Sequence, residues 1–454
     1  MSKHQYYFDY AATTPLDPRV FSAMLPYFNN EFGNPSNLYT LGRNASRAVK
    51  KASEIIADIL RCRSDEFFYT SSATEADNLA ILGTARSQRA SFGTGAFQRR
   101  PLASAPRIII SQIEHKGILA VCDALKKPAR HDGESGGEGF EIVKLPVLKN
   151  GLVDLNELKK ELDEKTILVS ITSADSETGT IQPIAEISKL IKKFRNELRI
   201  KNYELSKKNS YSKFHDSYFI NHNSLPYLHT DASQSAGYLD INVNKLGVDM
   251  MTLSAHKFYG PKGIGGLYVR RGVKISPIIY GGGQQGQLRS GTENVPGIVG
   301  FAEALRLNEK NKTASSAVRR RGGRTEIERI KKLRDTLEKG IFKTIPKVIL
   351  NGHLKERLPN FLNISILDVE GEAMLLHLDE LGIMAGTGSA CNSQNLEPSY
   401  ILAALGHSYE YIHGSLRFTL GHGNTMADIK YVLKHLPIVV KKLRKISPLE
   451  LKIT

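Results

Sequence analysis

Cysteine is scarce: only Cys62, Cys122 and Cys391 occur in 454 residues. An odd, sparse set excludes a disulfide framework and fits a reducing compartment. Long apolar runs are missing as well, and none approaches the length that crosses a bilayer. Residues 1–9 contain no apolar leader-like stretch, so the expectation is a soluble, cytoplasmic protein. No tandem repeat is present. Balanced charge is lacking too, since the formal net charge is +16. That excess gathers in Lys192-Lys193, Lys207-Lys208, Arg319-Arg320-Arg321 and Lys441-Lys442, with no aromatic stacking pattern beside it. Such runs read as solvated faces, and direct nucleic-acid binding is not expected.

What is present is ordinary globular composition, in a chain long enough for two domains or one large domain with a satellite. Near-continuous apolar runs alternate with amphipathic stretches through the first two thirds. Arg107–Ser111, Thr166–Thr172, Tyr227–Asp231 and Gly266–Arg270 read as buried strands. Asn44–Leu60, Asp154–Leu162 and Ile184–Phe194 read as helices between them. This alternation predicts an α/β layer with a largely parallel sheet. After Gly281-Gly-Gly283, helical stretches over Val295–Asn308 and Thr325–Ile341 and short strands over Lys347–Leu350 and Phe361–Ile366 predict a smaller α+β unit. Three polar stretches near 86–106, 128–139 and 199–224 read as surface insertions built of loops.

The richest segment is Ser254-Ala-His-Lys257-Phe-Tyr-Gly-Pro-Lys-Gly263, which follows the apolar run Asp249-Met-Met-Thr-Leu253. A lysine where a buried strand ends can form a Schiff base with an aldehyde cofactor. Standing alone it would be a solvated turn residue. Tyr69-Thr-Ser-Ser-Ala-Thr-Glu-Ala-Asp-Asn78 precedes a helix start and suits either a phosphate or an ordinary N-cap. Asp231 ends a strand, where it could keep a pyridinium nitrogen protonated or cap a helix. His115, in Glu114-His-Lys-Gly117, could stack on a ring and move protons, or serve as a hydrogen-bonded turn residue. Arg417 lies on the alternating strand Ser415–Thr419 and could clamp a carboxylate or pair with a surface acid. Cys391 sits in the small-residue stretch Gly386–Asn395, where a mobile thiolate could reach a site, react and carry its product away. Cys62 and Cys122 read as structural.

Taken in order, these segments resemble the class V aminotransferases, and more narrowly the cysteine desulfurases of the NifS/IscS type. The likeness runs from Phe8-Asp-Tyr-Ala-Ala-Thr-Thr-Pro15 to Arg417-Phe-Thr-Leu-Gly421. Its most specific elements are Ser72–Asn78, Asp231-Ala-Ser-Gln234, Ser254–Gly263, Arg289-Ser-Gly-Thr292, Gly388-Ser-Ala-Cys391 and Leu396-Glu-Pro-Ser-Tyr400.

The resemblance implies a fold type I, pyridoxal 5′-phosphate-dependent enzyme. A large domain over 16–275 would bind the cofactor. A smaller α+β domain from 1–15 and 276–454 would carry the mobile cysteine loop. Lys257 would hold the cofactor, and Ala73, Thr74, Ser254 and His256 would hold its phosphate. Thr292 would reach the phosphate of a neighbouring subunit, making a homodimer. Asp231 would meet the ring nitrogen, Gln234 the ring hydroxyl and His115 the ring face. Arg417 would take the carboxylate of L-cysteine, and Cys391 would accept its sulfur as a persulfide. The recipients implied are an iron–sulfur scaffold protein or a tRNA-thiolating acceptor. No intrinsic metal is implied, although Cys391 would ligate a cluster in passing on a scaffold. The chain departs from the family at Ala174-Asp-Ser-Glu-Thr-Gly179, where Ser176 stands in place of an asparagine that contacts the ring hydroxyl and the substrate. Two other readings are a selenocysteine lyase, or another β-eliminating enzyme of the same fold, and a degenerate scaffold paralogue. The second has no use for Lys257, Asp231, His115, Gln234, Arg417 and Cys391 together.

Overall fold

The computed structural model describes residues 4–93, 105–126, 139–208, 225–312, 325–387 and 398–447. Cys391 and the runs 94–104, 127–138 and 209–224 lie outside the described residues. The strands, in chain order, are β1 (Tyr6–Tyr7), β2 (Phe67–Thr70), β3 (Arg107–Ser111), β4 (Glu141–Leu145), β5 (Thr166–Ser170) and β6 (Tyr227–Asp231). They continue with β7 (Met250–Ser254), β8 (Gly265–Val269), β9 (Val348–Leu350), β10 (Phe361–Ile366), β11 (Ile383–Met384) and β12 (Ser415–Thr419).

Seven strands form the main sheet in the order β2-β8-β7-β6-β5-β3-β4. Pairing is parallel from β4 to β7 and antiparallel where β8 joins β7 and β2. All five residues of β5, β6, β7 and β8 are buried. That is why their sequences are near-continuous and not alternating: helices cover both faces. The pleat still sorts side chains. Ile109 and Met251 pack into one core, while Ile108, Ile110 and Met250 pack into the core on the other face.

The helix Val295–Lys312 joins the first of these cores through Ile298, Phe301, Ala302 and Leu305. This helix, which follows residue 275, thus packs with the main sheet. A third core gathers Phe8, the helix Glu326–Thr344, strands β10 and β12 and the helix Met426–Arg444. Its sheet runs β12-β10-β9, all antiparallel. Strand β1 pairs in parallel with β11, which ties the N-terminal segment to this core.

Two of the stretches read as loops are partly helical. The helix Ala73–Gly93 continues past Arg86, and the helix Ile184–Lys208 continues past Arg199. Polarity misled the reading here. Arg, Lys, Glu and Leu are strong helix formers whatever their exposure, and neither extension contains a proline.

Phe301 is fully buried, with its ring 5.7 Å from Phe67 and 5.4 Å from Phe258. It joins the Val295–Lys312 helix to the main sheet and to the turn after Lys257. Phe301→Ala should cost about 3–5 kcal/mol through the cavity it leaves. The check is a fall in Tm against wild type, and an unchanged Tm would contradict this packing role.

Candidate active site

The parallel strands end together, and their C-terminal ends frame the site. Strand β6 ends at Asp231 and β7 at Ser254, paired so that Asp231 lies opposite Thr252. Beyond Ser254 the chain makes one tight turn, Ala255–Lys257, which projects Lys257 over the strand ends. Tyr259 then takes a left-handed φ of 67°. Its backbone N–H donates to Thr14 Oγ1 at 2.8 Å, and its ring stacks on His422 at 3.9 Å. Strand β3 leads to His115, which caps the helix Lys116–Leu125. Strand β5 leads to the loop holding Ser176.

These elements enclose a cavity of about 250 Å³. It brings together Ala73, Thr74, His115, Ser176, Asp231, Gln234, Ser254, His256 and Lys257, all singled out from the sequence. Thr292 is exposed and does not line it. Arg417 does not line it either, but adjoins it by donating from Nη1 to the Ser176 carbonyl at 2.7 Å.

At one end lies the start of the 21-residue helix Ala73–Gly93. Ser72 Oγ accepts the Glu75 N–H at 3.2 Å, and Glu75 binds Arg289 Nε at 2.8 Å. Strand β8 presses against this helix start at Gly265. A Cβ there would sit 2.5 Å from the Ser72 carbonyl carbon and 2.8 Å from the Ala73 nitrogen. The close approach packs the β8 backbone on the helix start, which lines the cavity through Ser72, Ala73 and Thr74, and a helix N-terminus suits an anion.

At the other end, Asp231 Oδ1 accepts the Ser233 N–H at 2.8 Å. Lys257 Nζ donates to the carbonyls of Ala11 at 2.5 Å and Ala12 at 2.9 Å. Gln234 Nε2 donates to Ala11 O at 3.1 Å. His256 Nδ1 lies 3.1 Å from Thr13 Oγ1. Residues 9–14 thus form a strap over the site that residue-type reasoning missed. The groups that take the Lys257 amine are backbone carbonyls of Ala11 and Ala12, for which the sequence carries no side-chain signal.

His115 Nδ1 accepts the Gly117 N–H at 3.1 Å, so the neutral ring carries its proton on Nε2. Burial lowers its pKa, and the Lys257 charge adds to that while Asp231 opposes it. Burial likewise lowers His256 to about 4, with help from Lys257 and Lys262.

Two further carboxyls stand behind the lining. Burial pushes Glu114 up to about 8, although Ser111 and the Thr172 N–H both donate to it. Burial also pushes Glu177, which accepts from Ser399 Oγ, up to about 8. Neither was singled out from the sequence, since a glutamate beside a histidine or serine gives no spacing signal. Cys122 is buried and its thiol is raised to about 12 by that burial, as is the half-buried Cys62, in keeping with structural roles.

The family described as Aminotransferase class-V matches residues 6–198 and 218–432. The chain belongs to the class V aminotransferase family. A relative named Cysteine desulfurase IscS, from Dictyoglomus turgidum, is 42% identical over 448 residues, covering 98% of this chain and 97% of that protein. Another of the same name, from Methanosarcina thermophila, is 42% identical over 443 residues, covering 98% of this chain and 94% of that protein. Among solved structures, a NifS-like protein superposes with a TM-score of 0.78 at 32% identity, covering 97% of this chain and all of that one. A NifS-like protein from Rickettsia africae gives 0.73 at 29%, covering 96% and 100%. The class V fold, with its mostly parallel sheet between helices, is the one observed here.

Class V enzymes use pyridoxal 5′-phosphate, and the residues present fit it. The Gly265-backed helix start matches a phosphate, Asp231 a pyridinium, and the Lys257 amine an aldehyde. Ser233, which lines the cavity, has a buried Oγ with no hydrogen-bond partner among the described residues. No group of three or more His, Cys, Asp or Glu that could hold a metal is found among the described residues, and no helix among them is long and apolar enough to cross a membrane.

Glu177 gives the site a signature in stability. Its carboxyl titrates near 8 when folded against an ordinary 4.5. Between those values the folded state binds more protons than the unfolded one. The stability from this group is therefore full below the ordinary value and is lost as pH rises toward 8. Glu177→Gln should shrink the loss of Tm between about pH 5 and pH 8. An equal or larger loss in the variant would refute the assignment.

Proposed function

We propose that this chain is a pyridoxal-phosphate-dependent cysteine desulfurase, converting L-cysteine to L-alanine and passing the sulfur to Cys391. The observation that carries the reading is the convergence of the Lys257 amine, the Asp231 carboxylate and the Ala73 helix start on one cavity. Bound there, pyridoxal phosphate supplies an aldehyde that condenses with amines and a ring that takes up the electron pair of a broken Cα–H bond.

The chain's own residues do the rest. The first amides of the Ala73–Gly93 helix, with Ser254 and His256, would hold the phosphate. Asp231 would keep the ring nitrogen protonated, Gln234 would bond the ring hydroxyl, and His115 would cover the ring face. Lys257 would give up its carbonyl partners, take the substrate α-proton and return it elsewhere. Arg417 would orient the substrate carboxylate. The Cys391 thiolate would attack the substrate sulfur. A new S–S bond forms as the substrate Cβ–S bond breaks, and the electron pair left on Cβ takes a proton to complete alanine. A neutral His115 is suited to relay that proton. The enzyme would work in the cytoplasm and deliver its persulfide to an iron–sulfur scaffold or a tRNA-thiolating acceptor. It would act as a homodimer, with Thr292 serving the neighbour's site. The exposed Phe28, Phe32, Leu38 and Tyr280 support such a covering by a second copy.

Incubation with L-cysteine should yield alanine, and mass spectrometry should find the persulfide on Cys391. Lys257→Ala should lose both alanine formation and the visible absorbance of attached cofactor. Cys391→Ser should keep the absorbance and lose the persulfide. Persulfide formed by that variant on itself would overturn the role of Cys391.

Ser176 is shorter than the asparagine it replaces, and its link to Arg417 runs through its backbone carbonyl. A longer side chain would keep that link and add one to the substrate. Ser176→Asn should therefore raise kcat/KM for L-cysteine, and no rise would refute the account of this departure.

A further inference from the structure

Arg417 is fixed at two corners of its guanidinium. Nη1 donates to the Ser176 carbonyl and Nη2 to Asp9 Oδ1, each at 2.7 Å. Its Nε is buried and has no partner among the described residues. A guanidinium has five N–H donors in one plane. The two contacts leave Nε–H and one N–H on each terminal nitrogen, all in a plane that the contacts hold still.

Asp9 is itself rigid. Its carbonyl accepts the Tyr7 hydroxyl at 2.8 Å, and its backbone bridges Thr419, two residues along β12 from Arg417. Thr419 N–H donates to Phe8 O at 2.7 Å. The far side is closed by Gly386, whose backbone N–H donates to Arg417 O at 3.0 Å and whose carbonyl accepts the Arg417 N–H at 2.7 Å. A Cβ on Gly386 would lie 2.9 Å from Arg417 Nη2 and 3.1 Å from Asp9 Oδ1. The ion pair is thus boxed by backbone, with side-chain exposures of 11% for Arg417 and 22% for Asp9, so it is not a solvated surface pair.

We infer that Asp9 is a positioning residue for substrate recognition, holding the Arg417 guanidinium in the plane that receives an α-carboxylate. This rests on the reading of Arg417 as the carboxylate receptor. Two effects of Asp9 oppose each other. Its charge partly neutralises Arg417 and weakens anion binding. Its hydrogen bond removes the freedom of a long side chain, which strengthens oriented binding. The boxed geometry favours the second.

Two substitutions separate them. Asp9→Ala removes both the charge and the acceptor, whereas Asp9→Asn keeps an Oδ1 acceptor. Asp9→Ala should raise KM for L-cysteine roughly tenfold, the scale of one hydrogen bond to a charged group, and change kcat by less than about threefold. Asp9→Asn should recover most of that loss. The shift in cofactor absorbance on adding L-alanine reports equilibrium binding without turnover. In Asp9→Ala that binding should weaken in parallel with KM, while binding of L-alanine methyl ester should not change. Gly386→Ala presses on the same ion pair with Asp9 intact and should give the same carboxylate-selective penalty, so a poorly folding Asp9→Ala still leaves a test.

A KM in Asp9→Ala within about twofold of wild type, a fall in KM in both Asp9 variants, or an equal loss on the methyl ester would overturn the inference. Arg417→Lys distinguishes the two levels. If it raises KM while Asp9→Ala does not, the role of Asp9 fails and the receptor reading stands. If Arg417→Lys leaves KM unchanged, the receptor reading itself fails.

Discussion

Five hydrogen bonds made by residues 9–14 hold the site in one piece. The carbonyls of Ala11 and Ala12 take the Lys257 ammonium, Asp9 takes the Arg417 guanidinium, and Thr13 and Thr14 hold the ring and carbonyl of His256. Lys257 extends from the main sheet and Arg417 from the smaller antiparallel sheet. The strap is where the two meet. Its choice of partners matters chemically. A peptide carbonyl holds an ammonium in place by a directed bond without adding a full negative charge beside it. A carboxylate partner would bind the lysine more strongly and oppose its departure toward a substrate or cofactor.

The cavity also shows which force governs its buried acids. Glu114 accepts two hydrogen bonds that favour its charged form, yet burial leaves it titrating near 8. Asp77 and Asp175 are likewise raised by burial. Desolvation beats local hydrogen bonding at each of them. Glu114 and Glu177, both raised to about 8, therefore favour the neutral form near pH 7, and the negative charge of the site is not the sum of its acidic residues.

Much of this was legible in the sequence, for definite reasons. Strands buried on both faces need unbroken apolar runs, so β3, β5, β6 and β8 were visible within a residue or two. Helices announced themselves by their amphipathic period, and the structure caps two of them with Thr325 and Asp154. Nine lining residues of the cavity could be named because each carries chemistry in its side chain or sits at a helix start. The lysine's partners in the strap could not, because the carbonyls of Ala11 and Ala12 look like every other carbonyl until the chain is folded. Glu114 and Glu177 escaped because their role comes from burial, which one sequence does not display. The polar extensions of the helices ending at Gly93 and Lys208 were misread because polarity was weighed above helix propensity. The placement of Val295–Lys312 in the main core was hidden because that helix is buried around much of its circumference, which blurs the amphipathic period.

The pairing of Asp9 with Thr419 and Arg417 spans about 400 positions of sequence. During vectorial synthesis the helix start, the aspartate and the lysine turn all leave the ribosome well before β12 does. Every residue proposed to hold the cofactor thus emerges before Arg417, the residue proposed to receive the amino acid, and the N-terminal strap must wait for both.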